Sequence, residues 1–195
     1  MVDQLSPLGA AWRPGAHGHV AEGIGVSLTE MQPASIVQLA AWPGRQREML
    51  EAIAEIAGLP LPDGAGAGFA TASVAAFGFA PGKFLVVHQE DELFGRFVSG
   101  VGSETGAVTD LSHGRTALSI AGPKAEWVLS KLFAVDFSSP AFAVGCGIST
   151  AHHDLQAQIQ HRADGRFDLY VFRSFARAFW KLLCRASEET GYEVR

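Results

Sequence analysis

The order of predicted elements repeats along this chain of 195 residues. In each half, a strand passes into a helix through a step that ends in proline, first at Trp42-Pro43 and then at Gly122-Pro123. Each half continues through a turn, at Pro81-Gly82 and at Asp164-Gly165, into an apolar strand and an amphipathic helix. A strand–helix–strand–strand–helix–strand order is that of the split βαβ, ferredoxin-like unit. We therefore predict an α+β fold of two tandem ferredoxin-like halves with a mainly antiparallel sheet.

The stretch from Val108 to Phe137 shows the local signals most clearly. Turn residues from Ser112 to Arg115 separate two strand-like runs, and the second run alternates, with Thr116, Leu118 and Ile120 on one face. Gly122 ends that strand, and Pro123 suits the first turn of a helix because its missing N–H costs nothing there. One buried helical stripe follows, at Ala125, Val128, Leu129, Leu132 and Phe133.

The remaining elements follow from the same periods. We predict strands at 26–31 (an edge strand), 35–42, 69–80, 83–88, 106–111, 148–151, 155–161 and 167–172, and helices at 45–57 and 91–101. In the strand at 155–161, the glutamines Gln156, Gln158 and Gln160 alternate with apolar residues, which predicts a polar, solvent-facing side. Ser174 is predicted to cap the last helix and Gly191 to end it, with residues 192–195 as a tail.

We predict one domain over residues 26–195, made of the halves 26–105 and 106–195, and an arm over residues 1–25. The arm has no periodicity, yet Leu5, Leu8, Trp12 and Val20 are too apolar for a free tail. One interpretation is that the arm hides these side chains on a neighbouring chain, as a partner contact. The other is that it lies along its own domain.

Composition excludes several classes of function. The net charge is −5 and no basic cluster occurs, which argues against nucleic acid and anionic membranes as partners. No apolar run approaches the ~20 residues of a membrane span, and no signal segment is evident. Cys146 and Cys184 form no CxxC motif, so we expect reduced core cysteines in a cytoplasmic protein. A hydrophobic content of 48% with a mean hydropathy of +0.15 fits a chain that covers part of its surface with a partner.

None of the polar clusters in the sequence has the residue pattern of a catalytic or metal-binding site. Neighbouring residues on a strand point to opposite faces, so neither Asp110-Leu111-Ser112-His113 nor His152-His153-Asp154 can form a triad or a ligand set alone. His17 and His19 lack a nearby carboxylate or cysteine. We therefore predict no catalytic, cofactor-binding or metal-binding residue in this chain. The other candidates are read as solvated helix ends at Asp91-Glu92 and Glu188-Glu189, and as a flexible loop at Gly64-Ala65-Gly66-Ala67-Gly68 that lacks the Lys-Ser/Thr of a phosphate loop.

The central stretch resembles the glycine-cleavage aminomethyltransferases and their folate-binding relatives. The resemblance lies in Asp110 to His113, Ile120 to Pro123, Ala125 and the Leu129/Leu132 pair. Over nearly its whole length, the chain is similar to the gamma subunits of heterotetrameric sarcosine oxidases. The further matching residues are Ser6-Pro7-Leu8, Val26 to Glu30, Phe79 to Val87, and Arg173-Ser174-Phe175-Ala176 with Trp180.

This resemblance implies an aminomethyltransferase-like fold and a place in an enzyme complex. Such a complex oxidises sarcosine with oxygen and passes the one-carbon unit to tetrahydrofolate, giving glycine, 5,10-methylenetetrahydrofolate and hydrogen peroxide. It implies FAD, FMN, NAD and tetrahydrofolate on other subunits, and partners among the alpha, beta and delta subunits, chiefly alpha. Catalytic aminomethyltransferases carry a Gly-Gly-Ile-x-Asp-Asp-like tract where this chain reads His152 to Gln158. The resemblance therefore implies a structural, non-catalytic subunit.

Two alternatives remain open at this level. A stand-alone folate-binding, one-carbon-transfer protein would need a cleft between the halves, lined by Trp127, Tyr170 or Trp180, with Asp110 or Asp154 contributing to folate binding. A subunit of a related oxidase that demethylates another N-methyl amine would have the same sequence features, because the substrate contacts would lie in other chains.

Overall fold

The computed structural model describes residues 6–64, 66–163 and 165–195. Leu5, Ala65 and Asp164, which belong to the predicted arm, glycine-rich loop and second turn, lie outside the described residues. The strands are β1 Gly15–His17, β2 Val26–Met31, β3 Ser35–Ala41, β4 Gly68–Ala70, β5 Val74–Ala80, β6 Lys83–His88, β7 Gly106–Asp110, β8 Arg115–Ala121, β9 Gly147–His152, β10 Leu155–Ala163, β11 Arg166–Phe172 and β12 Tyr192–Val194. The helices are α1 Gln46–Ala57, α2 Leu93–Gly100, α3 Ala125–Leu132 and α4 Ala176–Ser187.

The strands form two sheets. The smaller sheet has the order β4-β5-β6-β3-β7, and its elements β3–α1–β5–β6–α2–β7 follow the chain order of one ferredoxin-like unit. The larger sheet has the order β1-β12-β2-β8-β11-β10-β9. All pairings are antiparallel except that of β12 with β2. The predicted α+β class and mainly antiparallel pairing are confirmed.

The sheets exchange their boundary strands relative to the predicted halves. β2 lies at the start of the half 26–105 but pairs with β8 and β12 in the larger sheet, whereas β7 pairs with β3 in the smaller sheet. β2 is therefore paired on both sides, and its prediction as an edge strand was wrong. The last strand of the second unit, β12, does not pair with β8. The edge of β8 is therefore free, and β2 pairs with it there and with β12 on its other side.

The two ends of the chain meet in the larger sheet. The predicted tail is strand β12, and β1 of the arm pairs with it in antiparallel register. Leu8 is fully buried, and the Trp12 ring lies 5.2 Å from the ring of Trp180. The described part of the arm thus lies along its own domain, while Val20 and Ile24 remain exposed.

The layers run helices, sheet, sheet, helices. The apolar stripe of α3, together with α4, packs on the outer face of the larger sheet, and α1 and α2 pack on the outer face of the smaller sheet. The inner faces of the two sheets meet in a third cluster that contains Phe77, Leu85 and Tyr170. Both sheets are therefore covered on both faces over much of their area.

This double covering overturns one prediction about β10. Gln158 and Gln160 were predicted to face solvent, but they are 4% and 0% exposed. The alternation was read correctly, because Ile159 and His161 do face the helices; the opposite face is covered by the smaller sheet. Alternation alone cannot distinguish solvent from a second layer that is partly polar.

Two boundaries also differ from the predictions. The strand predicted at 69–80 is a hairpin, β4 and β5, in which Thr71 Oγ1 accepts a hydrogen bond from the Val74 N–H. Ser174 does not cap α4, because a 3-10 turn over Arg173–Phe175 precedes that helix and no side chain caps it. Gly191, with φ of +64°, does end the helical segment. No helix in the described ranges is long and apolar enough to cross a membrane.

Candidate functional site between the sheets

A small cluster of charges lies at one end of the seam between the two sheets. The Asp168 carboxylate on β11 forms ion pairs with Arg162 Nε at 3.0 Å and with Arg166 Nε at 3.4 Å. The Arg162 guanidinium also donates to the carbonyl oxygen of Thr71, at 2.6 Å, in the hairpin of the smaller sheet. The cluster therefore connects the two sheets as well as neighbouring strands of one.

The alternation of side chains along β10 and β11 determines which face of the sheet these charged residues lie on. In β11, Phe167, Leu169 and Val171 enter the core under the helices, so Asp168 and Tyr170 must point to the inner face. Arg162 continues the inner-facing row that begins with the two buried glutamines of β10. The Asp168 and Arg162 side chains are only 3% and 12% exposed, whereas Arg166 is 46% exposed.

Burial dominates the electrostatics of the cluster. Desolvation raises the pKa of Asp168, and it does so more strongly than the neighbouring Arg166 and Arg162 lower it. Desolvation also raises the pKa of the Tyr170 hydroxyl, so this phenol stays protonated. With Asp168 ionised, two guanidinium groups face one carboxylate, and Arg162 Nη1 has no hydrogen-bond partner among the described residues.

A cavity of about 470 Å³ adjoins the cluster. Thr71, Ser73 and Gln89 of the smaller sheet form one wall, and the charged residues of β10 and β11 form the other. This volume falls within the ~300–1,000 Å³ of typical small-molecule sites. The donors of the arginines and hydroxyls suit an acceptor-rich, anionic group.

The Asp168 pKa predicts a pH dependence of stability. Because the folded state holds this proton to higher pH than the unfolded chain does, wild-type stability relative to Asp168→Asn is greatest in acid. It is expected to fall as pH rises above 3.8, the ordinary aspartate value, and through the raised pKa. Urea unfolding of both proteins across that range measures this difference. A wild-type advantage that grows with pH would instead mean that the arginines outweigh burial.

The seam beside the cluster is held by Gln160. Its Nε2 donates to the carbonyl oxygens of Phe69 and Gly145, each at 2.9 Å, and lies 3.3 Å from that of Ala76. The backbones come close here, since a Cβ at Gly68 would overlap the Gly145 carbonyl oxygen. The glycines predicted as a flexible loop are part of this close approach.

Replacing Gln160 with leucine is expected to lower the free energy of unfolding by about 1–3 kcal/mol. The reason is that buried carbonyl groups lose their donor without regaining water. Denaturant unfolding measures the change. The matched control is Gln156→Leu, on the same strand but exposed, for which a change within about 0.5 kcal/mol is expected. Equal effects of the two variants would contradict this assignment.

The first group of sequence candidates forms a turn. Asp110 Oδ1 accepts hydrogen bonds from the Ser112 hydroxyl at 2.6 Å and from the Ser112 N–H at 2.9 Å. Ser112 in turn accepts a hydrogen bond from the Ile36 N–H. His113 is exposed. These contacts shape the turn between β7 and β8 and attach it to β3, and they bring no acid–base–nucleophile set together.

The second group lies at the tip of the β9–β10 hairpin. His152 Nδ1 is 2.7 Å from the Leu132 carbonyl oxygen, and its ring lies 4.6 Å from the ring of His153. Asp154 is exposed beside them. His17 stacks on Tyr192 at 5.2 Å. Among the described residues, no group of three or more His, Cys, Asp or Glu side chains is arranged to hold a metal ion.

Only one residue suggested for a folate cleft lies in the cavity. Tyr170 lines it, whereas Trp180 lies on the buried face of α4 and Trp127 is exposed on α3. Neither Asp110 nor Asp154 is among the cavity residues. Sequence analysis missed Arg162, Arg166 and Asp168; the available signal was Asp168, a carboxylate inside the otherwise apolar run of β11.

Comparison with known proteins points to one family. The profile of the sarcosine oxidase, gamma subunit family matches residues 48–189. The sarcosine oxidase subunit gamma of an Arthrobacter species is 36% identical over 126 residues, which are 64% of this chain and 62% of that protein. The matched region thus spans less than two thirds of this curated relative.

Two solved structures resemble the fold. A chain of the heterotetrameric sarcosine oxidase from Corynebacterium sp. U-96, in complex with pyrrole 2-carboxylate, superposes with a TM-score of 0.79 and 26% identity, covering 96% of each chain. The glycine cleavage system aminomethyltransferase T from Bartonella henselae gives a TM-score of 0.61 at 14% identity, covering 88% of this chain and 48% of that one. The second likeness concerns the fold alone.

Proposed function

This chain belongs to the sarcosine oxidase, gamma subunit family, and on that premise we propose that it is a structural, non-catalytic subunit of a heterotetrameric sarcosine oxidase. The observation that carries the proposal is the superposition on a chain of such an oxidase over 96% of both chains. The resemblance derived from the sequence is confirmed by the family match.

The complete reaction is part of this proposal. The complex oxidises sarcosine with oxygen and transfers the one-carbon unit to tetrahydrofolate, giving glycine, 5,10-methylenetetrahydrofolate and hydrogen peroxide. FAD, FMN, NAD and tetrahydrofolate are held by other subunits, and this chain braces the alpha subunit within an assembly that also contains beta and delta. The free thiols of Cys146 and Cys184 fit a cytoplasmic location.

The surface supports a bracing role. Several large apolar side chains remain exposed on the isolated chain, among them Val20, Ile24, Val98, Trp127, Val144, Phe172 and Phe175. Exposed aromatic residues are typical of protein interfaces. Of the residues that align with the acidic tract of catalytic aminomethyltransferases, the one carboxylate, Asp154, lies exposed at the tip of the β9–β10 hairpin and does not line the inter-sheet cavity. This supports the non-catalytic assignment.

Purification of the tagged chain from its own cells tests the proposal. We expect larger chains in stoichiometric amounts by mass spectrometry and flavin bands in the visible absorption spectrum. Oxygen uptake by the purified complex with sarcosine, compared with other N-methyl amines, distinguishes sarcosine oxidase from a related demethylating oxidase. A colourless monomer obtained alone would contradict the subunit assignment.

A second candidate function is folate binding by the chain alone. The observation that favours it is the inter-sheet cavity, which has an acid, Asp168, and an aromatic residue, Tyr170, in its lining. Calorimetric titration of the isolated chain with tetrahydrofolate tests this candidate. Binding that weakens in Arg166→Gln but not in the exposed control Arg47→Gln would support it, and the absence of binding heat in wild type would eliminate it.

A further inference from the structure

A groove lies on the outer side of the molecule. It has a volume of about 920 Å³ and is open to solvent. Its floor and walls come from the end of the arm, the start of α3 and the segment that follows α4. It is separate from the inter-sheet cavity, with which it shares no lining residue.

Backbone hydrogen bonds hold the walls of this groove together. The Gly25 N–H lies 3.0 Å from the carbonyl oxygens of Thr190 and Gly191, and the Gly25 carbonyl oxygen accepts from the Lys124 N–H at 3.1 Å. The His19 N–H donates to the Glu188 carbonyl oxygen at 2.7 Å. The groove is therefore formed before any partner binds, and a partner does not have to order it.

A tryptophan is held in position at the edge of the groove. Trp127 is 44% exposed, yet Lys131 Nζ lies 3.5 Å from the centroid of its ring. Lys131 Nζ is itself fixed by the Ala186 carbonyl oxygen and by Glu189 Oε2, each at 2.9 Å. A cation on one face restricts the indole. The remaining exposed surface, with Ile24 nearby in the lining, forms an apolar anchor point.

The charge around this anchor is negative. Four carboxylates line the groove, at Glu22, Glu126, Asp136 and Glu189, against the ammonium groups of Lys124 in the lining and Lys131 beside it. The Ser138 hydroxyl and N–H both donate to Asp136, which lowers the pKa of that carboxyl group. Because Lys131 already pairs with Glu189, three carboxylates face one ammonium group.

We propose that this groove docks a segment of a larger oxidase subunit that places an apolar side chain against Trp127 and Ile24 and an arginine or lysine among the carboxylates. The proposal rests on the subunit function proposed above and names the surface and the chemistry of the contact. A rigid, half-exposed tryptophan in a concave site is the kind of residue that dominates interface energies. The acidic rim selects the cationic neighbour through charge complementarity.

Competition for assembly tests the proposal. Wild-type and variant chains are co-expressed in equal amounts with the larger subunits, and their ratio in the purified complex is measured by mass spectrometry. The ratio of Trp127→Ala to wild-type chain in the complex is expected to be lower than parity by at least roughly 30-fold, the effect of removing an interface hot spot. Trp42→Ala, equally exposed but beside the smaller sheet, is expected to incorporate at parity.

A second variant tests the charge. Glu126→Lys reverses one carboxylate of the rim and is expected to incorporate poorly at low salt, with a smaller deficit at high salt, where screening weakens surface charges. Glu51→Lys on α1 is the matched control. Thermal unfolding of each isolated variant verifies that it is folded.

Three results would overturn the proposal in different ways. Parity of Trp127→Ala with wild type would mean that the groove is not the docking surface, although the subunit function would stand. A dimer of the isolated chain in light scattering, lost in Trp127→Ala, would make a second copy the occupant. Failure of the wild-type chain itself to join larger flavin-bearing chains would remove the proposed function as well.

Discussion

Replacing Trp180 with alanine is expected to lower the free energy of unfolding by about 3–5 kcal/mol. Trp180 is 2% exposed in the core under α4, and its loss leaves a cavity that the surrounding helix and sheet can fill only in part. The indole N–H also donates to the Ala11 carbonyl oxygen at 3.1 Å, and the ring contacts Trp12. The variant therefore removes core volume and the attachment of the arm together.

Two measurements check this prediction. Denaturant unfolding gives the change in free energy, and Trp42→Ala, which removes a half-exposed tryptophan, is expected to cost far less. Hydrogen exchange of the amides around Leu8 and Trp12 reports on the arm, and we expect it to accelerate more than exchange in β5 and β6. An arm that stays protected in Trp180→Ala would mean that β1 and Leu8 suffice to hold it.

The second large effect is expected at Phe167, where alanine should cost about 3–5 kcal/mol. Phe167 is fully buried, and its ring centroid lies 4.5 Å from that of His161, 5.6 Å from that of Phe137 and 6.3 Å from that of Phe142. His161 Nδ1 donates to the Phe142 carbonyl oxygen at 2.6 Å. This aromatic cluster holds the loop before β9, which contains Gly145, against the seam between the two sheets.

Phe167→Leu is the control, because it keeps most of the volume and should cost less than about 1.5 kcal/mol. Thermal and denaturant unfolding compare the two variants. If alanine and leucine were equally destabilising, ring stacking and not cavity formation would dominate the effect. If both were nearly neutral, the loop around Phe142 would have to collapse into the space.

Trp180→Ala and Trp127→Ala act on different parts of the protein. The arm and the segment that follows α4 form walls of the docking groove, so Trp180→Ala is expected to weaken incorporation by destabilising the fold that holds these walls. Trp127→Ala acts on the surface and leaves the core intact. Comparing the unfolding free energy with the incorporation ratio for both variants separates loss of fold from loss of contact.

The elements of this protein could be read from its local patterns. The period of 3.6 in the stripe of α3, the period of two in β8 and β10, and the proline at the start of α3 each depend on a few neighbouring residues. The repeat of these patterns was enough to predict two ferredoxin-like units in an α+β fold. The family resemblance followed from the order and spacing of the same residues.

What only the tertiary structure decided is which surfaces the elements cover. Pairing of β2 with β12 joins residues that are far apart in the chain, and no local signal distinguishes a shared strand from an edge strand. Gln160 was predicted to face water and instead bonds three carbonyl groups of the seam, because a strand shows its period but not what lies against each face. The same reason explains why Asp168, Arg162 and Thr71 could not be joined in advance: the cluster exists only where the two sheets meet.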